Sequence, residues 1–264
     1  MSKSRLKIDG LQLSDISSLQ ATKTKLSVDI INGVKAPRFI QEEVSPNIRP
    51  IASLQTDRLD YDTCIRWSIL LPPTEWARGY GGSASDKAWG VAVSNGIGTV
   101  VAGSTNSFGA GSSDVWVLKL DALGNIVWQK AYGGSDGDIA RDIITTSSGD
   151  IIVVGKTMSF GDWIADAWVL RLDADGNIVW QKAYGGSGAG DEANAVVESN
   201  GNIIVAGHTY SFGAGSSDVL VVKLDENGDI VWQRAYGGSG SDEAWGVAVA
   251  DNGDIIVVGE TESF

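Results

Sequence analysis

"WQKAYGGS" occupies residues 128–135 and returns letter for letter at 180–187; "WQRAYGGS" follows at 232–239, and a worn copy, "WARGYGGS", precedes them at 76–83. The four tryptophans are each 52 residues apart. A fixed period of this size decides the architecture before any local pattern does. Working outward, one period holds four segments of strand character. "EAWGVAVA" (243–250) alternates small residues with Trp and Val, and "GDIIVVGE" (253–260) is a β-branched run. "DVWVLKLD" (114–121) alternates, and "NIVWQKAY" (125–132) closes the unit. Between them stand "SNG", "SSG" and "DNG", then "DALGN", "DADGN" and "DENGD". Asn, Asp and Gly tolerate the positive φ of tight hairpin turns. No segment carries a helical period.

A four-stranded antiparallel sheet of about 50 residues does not bury both of its faces alone. Identical sheets stacked face to face do, with Trp, Val, Ile and Leu in each gap. Four strands per period is the mark of a propeller blade. The predicted fold is therefore all-β, a β-propeller of four-stranded antiparallel blades. The small residues of "AWGVAV" suit the innermost strand, where blades crowd. A β-solenoid is the alternative, but its coils take only about 20–30 residues.

"YGGSGSDEAWGVAVADNGDIIVVGETESF" (236–264) resembles the bacterial β-propeller repeat family of the SBBP type. The shared pattern is Tyr-Gly-Gly-Ser, an Asp, an apolar strand, Gly-Asn and then Gly-x-Thr-x-Ser. It recurs at 80–108, 132–160 and 184–212. The resemblance implies the propeller fold and no common activity.

From Trp76 the chain runs through three periods, and a fourth contains only its first two strands. "YDTCIRWSILLPPTEWARGYGG" (61–82) falls where the other two belong, since Asp62 lies 52 residues before Asp114. Four blades result, the last shared between N- and C-terminal strands. The half-blades are expected to join within one chain; the rival is pairing between chains, which gives a homo-oligomer through residues 1–75. Residues 61–264 thus form the propeller, and residues 1–60 an N-terminal extension or arm, in part disordered. Within the arm, "KLSVDIINGVKAPRFI" (25–40) fits a hairpin about Asn32 and Gly33, with Pro37 weakening its second half. "LSDISSLQ" (13–20) fits a short helix capped by Ser14.

Composition divides at the same place. All five prolines precede residue 76, and all glycines but Gly10 and Gly33 follow it. Residues 1–75 hold 10 Lys+Arg and 9 Asp+Glu, which leaves 10 and 24 of the totals of 20 and 33 for the rest. So acidic a repeat region argues against nucleic acid, which is bound through Lys and Arg, and against anionic membrane surfaces. No run reaches the roughly 18 apolar residues of a membrane span. Membrane insertion is not expected. The start, "MSKSRLKIDG", lacks the apolar stretch of a secretory signal; localisation is unknown, cytoplasmic by default. Cys64 is the single cysteine, so no intrachain disulfide forms, and a buried structural thiol is expected.

Few motifs carry chemistry. "GGSGSDEAW" (237–245) approaches a calcium β-roll repeat, but such sites need tandem copies and this one returns once per period. Asp136 with Asp138, and Asp173 with Asp175, lack EF-hand spacing. "GGSGAG" (185–190) and "GAGSSD" (109–114) do not lead from a strand into a helix, as phosphate cradles do. No metal and no cofactor are predicted. His208 is the only histidine, opposite Ser104, Lys156 and Glu260 in the other copies, which reads as a tolerant, exposed strand end and leaves no triad or zinc set. Asp86, Asp138, Asp191 and Asp242 return in every copy, as do Thr105, Thr157, Thr209 and Thr261, and are assigned to holding the blade together.

The informative positions are those where the copies disagree. One slot reads Trp89, Arg141, Asn194 and Trp245; in another, "GDWIADAW" (161–168) replaces "GAGSSDVW" and places Trp163 on a loop. Trp and Arg dominate binding hot spots, and exposed Trp faces stack on sugars. These five residues are the candidate ligand-binding set. The expected function is a non-enzymatic binding or assembly module presenting one face to a carbohydrate or protein ligand. A self-assembling structural subunit is the alternative. A glycan-active hydrolase or lyase, with paired acids in a cleft, is disfavoured because near-identical blades lack the asymmetry an active site needs. Burial separates these readings: exposed Trp89 and Trp245 favour binding, and convergent acids with shifted pKa values favour catalysis.

Overall fold

The computed structural model describes residues 24–31, 34–41, 76–94, 98–161, 164–187 and 190–263, the first two segments as backbone. The chain divides into two compact units, Met1–Glu75 and Trp76–Phe264. In the first, β1 (Thr24–Ile31) and β2 (Val34–Gln41) pair antiparallel, with Ile31 opposite Val34, and Asn32 and Gly33 lie outside the described residues. Pro37 is part of β2, opposite Val28. A two-stranded ribbon consists only of edges, where a missing N–H is tolerated. The proposed helix at 13–20, Cys64, and the strands proposed within 61–75 lie outside the described residues.

The second unit is all-β. Its first blade comprises β3 (Asp86–Ser94), β4 (Gly98–Thr105), β5 (Asp114–Leu120) and β6 (Ile126–Tyr132). The second comprises β7 (Asp138–Thr145), β8 (Ile151–Thr157), β9 (Asp166–Leu172) and β10 (Ile178–Tyr184). The third comprises β11 (Asp191–Ser199), β12 (Asn202–Thr209), β13 (Asp218–Leu224) and β14 (Ile230–Tyr236). β15 (Asp242–Val249) and β16 (Ile255–Thr261) form a two-stranded sheet, half of a fourth. Strands follow in chain order and pair antiparallel, as the alternation of apolar runs and Gly-containing turns predicts. The first strands of successive blades pack together, β3 on β7, β7 on β11 and β11 on β15, and so take the inner position. This is a β-propeller sheet stack.

Each blade has a trailing face, toward the next blade, and a leading face, toward the one before. Val100 and Ala102 on the trailing face of blade 1 meet Ile143, Val153, Trp168 and Leu170 on the leading face of blade 2. Ile152, Val154 and Val169 meet Val196, Val205 and Leu220 at the next junction. Both faces of β8 and β9 are buried, which is why their sequences are nearly unbroken apolar runs. The fourth strands, with one side in water, alternate instead.

The repeated octapeptide has a specific task. In β6, Trp128, Lys130 and Tyr132 lie two residues apart and so project from one side. The Trp128 indole donates to the Ala174 carbonyl at 3.2 Å, Lys130 to Asn177 Oδ1 at 2.9 Å, and the Tyr132 hydroxyl to the Gly176 carbonyl at 2.7 Å. All three acceptors belong to the β9–β10 turn of the following blade. Trp180, Lys182 and Tyr184 grip Glu226, Asp229 and Gly228 in the same way. Trp76, Arg78 and Tyr80 grip Ala122, Asn125 and Gly124 of blade 1. The segment 76–80 therefore stands where the outer strand of a blade before the first belongs. Neighbouring blades are also joined at the start of their inner strands, where Asp138, Asp191 and Asp242 N–H groups donate to Ser113, Ala165 and Ser217 carbonyls at 2.7–2.8 Å.

Candidate functional site

The slot singled out by sequence is a structural irregularity in every blade. Pairing of the first two strands steps from Ala88 to Gly90, Ala140 to Asp142, Ala193 to Ala195 and Ala244 to Gly246. The residues passed over are Trp89, Arg141, Asn194 and Trp245. Each is the extra residue of a β-bulge, a device that re-aims one side chain out of the ladder. The Gly of each Gly-x-Thr motif lies opposite. A Cβ on Gly103, Gly155, Gly207 or Gly259 would stand 1.8–1.9 Å from the carbonyl oxygen of Lys87, Ile139, Glu192 or Glu243. Only glycine admits the bulged strand this closely.

The Thr and Asp of the motif hold the same corner. Thr105 donates to Asp86 Oδ1 at 2.5 Å, while Ser107 and the Gly82 N–H both reach Asp86 Oδ2 at 2.8 Å. Blade 4 repeats this with Thr261, Ser263 and Gly238 on Asp242. In blades 2 and 3, Ser159 and Ser211 reach Asp138 and Asp191. Donors dominate: Thr105 first at Asp86, and Ser263 first at Asp242, hold both carboxyls below the ordinary range. These acids serve the blade.

The bulge residues of blades 1 and 2 meet. The Arg141 guanidinium stands 5.3 Å from the Trp89 ring centre, a cation–π contact. Its Nε pairs with Glu192 Oε1 on blade 3, and Lys156 Nζ pairs with Glu192 Oε2 at 3.0 Å. Burial alone would raise the Glu192 pKa, but its bonds to Arg141 and Lys156 outweigh burial and hold it low. Asn194 Nδ2 donates to the Ala244 carbonyl of blade 4 at 2.8 Å. Trp89 and Trp245 are 52% and 53% exposed. One residue further along β7, Asp142 accepts from the Val196 N–H at 3.0 Å and the Ile143 N–H at 2.8 Å. Burial, only partly offset by these bonds, raises its pKa.

Of the five candidate residues, four occupy one equivalent position, with Trp89 and Arg141 in direct contact; Trp163 lies outside the described residues. Sequence reasoning passed over Glu192, Lys156 and Asp142. The signal for the first two was present, because their columns, Lys87/Ile139/Glu192/Glu243 and Ser104/Lys156/His208/Glu260, vary between copies and pair directly across β3–β4 and its equivalents. The second column was expected to be an exposed strand end. Lys156 and His208 are instead half-buried, and His208 lies edge-on to Tyr210 with ring centres 5.6 Å apart. Lys156 is held there by Glu192 of blade 3, a contact that alternation within one blade does not reveal, whereas Glu260 in the last copy is exposed as expected. Among the described residues no group of three or more His, Cys, Asp or Glu is arranged to hold a metal ion. Among the described residues no helix is long and apolar enough to cross a membrane.

The class defined by this geometry is a β-propeller built from near-identical repeats. A family model described as a domain of unknown function (DUF5122) β-propeller matches residues 198–230, which span β12 and β13. Among solved structures, one from Xanthomonas campestris, described as a gluconolactonase important in glucose secondary metabolic pathways, is similar at 11% identity. It covers 66% of this chain and 84% of its own, with a TM-score of 0.26. No curated protein matches the sequence.

Proposed function

We propose that this propeller is a binding module whose ligand lies on the row of bulge residues, against Trp89, Arg141, Asn194 and Trp245, and that its repeats are of the SBBP type. The observation that carries the reading is the exposure of two tryptophans at a position where the backbone departs from the ladder to present them. A large aromatic left half in water forfeits about half of a burial worth roughly 1.5–3 kcal/mol for a fully buried apolar side chain. Arg141 and Asn194 already bond to the protein, so they enter the site fixed, which lowers the ordering cost of binding. The flat Trp faces suit an uncharged carbohydrate. The alternative of paired catalytic acids gains little support: Glu192 is held ionised between two cations, and Asp86 and Asp242 are held ionised by the donors that join each to its own blade.

Titration of intrinsic tryptophan fluorescence with soluble neutral oligosaccharides, beside a peptide library, tests this. Trp89→Ala or Trp245→Ala is expected to weaken a ligand by about 2 kcal/mol, roughly thirtyfold. A ligand held equally well by both variants places the site elsewhere.

A further inference from the structure

Two junctions between blades are buried and a third, onto the half-blade β15–β16, in part; of the two faces that match them, the leading face of blade 1 is covered by Tyr80 only over Trp116, Leu118 and Leu120. On the leading face of blade 1, Val91 and Val93 are 63% and 72% exposed, whereas Ile143, at the Val91 position of blade 2, is 1% exposed. On the trailing face of blade 4, Ile256 and Val258 are 51% and 60% exposed, whereas Ile152 and Val154 of blade 2 are fully covered. The octapeptide latch shows the same asymmetry. Tyr184 is buried on its partner turn, but Tyr236 is 50% exposed, and the Arg234 guanidinium lies 5.4 Å from the Trp232 ring centre instead of reaching a following blade. A cleft of about 610 Å³ opens there, lined by Val221, Trp232, Arg234, Tyr236 and Val257.

We infer that the trailing face of blade 4 docks on the leading face of blade 1 of a second copy, so that chains join head to tail. Three observations select that occupant. The two faces are the halves of a junction that the molecule already makes in full twice, between blades 1 and 2 and between blades 2 and 3, so a second copy carries the complementary surface in the required register. Trp76, Arg78 and Tyr80 already sit on blade 1 as the outer strand of a preceding blade, so the same end of a second copy brings an outer strand toward β16, whose sheet has only two. Within one chain, β15 packs on β11, β12 and β13, and no comparable packing joins β15 to β3. Among the described residues, one copy therefore leaves Val91, Val93, Ile256 and Val258 open together. The contact is heterologous, so it closes into a ring or extends as a filament according to its rotation. Like charge opposes it, with a formal net charge of −13 per chain, so added salt strengthens it. The inference uses residues other than the ligand row, and the two fail independently.

Light scattering on a sizing column tests it with full-length chains. Wild type is expected at multiples of 27.7 kDa that grow with concentration and salt. Val91→Glu and Val258→Glu each block one face at an exposed position; each is expected to keep the wild-type circular dichroism and to elute at 27.7 kDa. Mixed in equal amounts, they retain one intact pair of faces and are expected to form a species of two chains. A wild type that stays at the single-chain mass into the hundred-micromolar range overturns the inference. So do variants that assemble like wild type, or a mixture that forms no pair.

Discussion

Tyr132 and Tyr236 stand in nearly identical octapeptides, and only one of them meets a partner. Removing the Tyr132 hydroxyl with Tyr132→Phe deletes a 2.7 Å bond to the carbonyl of Gly176, which is itself buried. A buried acceptor left without a donor costs about 1–3 kcal/mol. For a unit of this size, 2 kcal/mol lowers the melting temperature by roughly 4–8 °C. Tyr184→Phe, facing the buried Gly228 carbonyl at 2.6 Å, is expected to lose as much. Tyr236→Phe removes a hydroxyl from a side chain that is 50% exposed, and a dilute sample is expected to melt within about 0.5 kcal/mol of wild type, as surface substitutions do. Thermal melts of the three variants at low concentration compare them directly. Equal losses at Tyr132 and Tyr236, or none at either, would refute the assignment of the octapeptide as a latch between blades.

Two further predictions concern the blade itself. Gly155→Ala brings a Cβ to 1.9 Å from the Ile139 carbonyl and forces β7 and β8 apart; a loss of about 3 kcal/mol or more is expected, at or above the top of the overpacking range. Gly149→Ala, at φ +92 in open space, carries only the left-handed backbone cost of about 1–2 kcal/mol, so denaturant melts should rank the two. The pH dependence of stability follows from Glu192. Its folded pKa is lowered, so the stability it contributes is present above its unfolded value and is lost as pH falls through the folded one. Glu192→Gln is expected to flatten that acid limb in melts between neutral and acidic pH; an unchanged limb would show that Arg141 and Lys156 do not hold it.

The elements themselves were legible because their causes are local. β5, β6, β15 and β16 fall within a residue or two of the segments marked by alternation and by Asn/Asp-Gly turns. The bulge row was legible for another reason. In near-identical copies, a column reading Trp, Arg, Asn and Trp cannot be required by the blade alone. The role of Gly-x-Thr was hidden, because the clash that demands Gly155 comes from a carbonyl sixteen residues earlier in the chain, across a ladder whose register shifts at Arg141.

The sequence by itself determined that this chain is a stack of four-stranded antiparallel sheets, because period, alternation and turn chemistry act over a few residues at a time. Tertiary structure alone decided which equivalent residues differ in fate. Arg141 and Glu192 are 51 residues apart, as Lys156 and Glu192 are 36 apart, and they pair only because blades stack. Tyr184 and Tyr236 read alike, yet one is sealed on a neighbour's turn and the other is in water, since burial belongs to whatever sheet lies alongside and not to the strand that carries the residue.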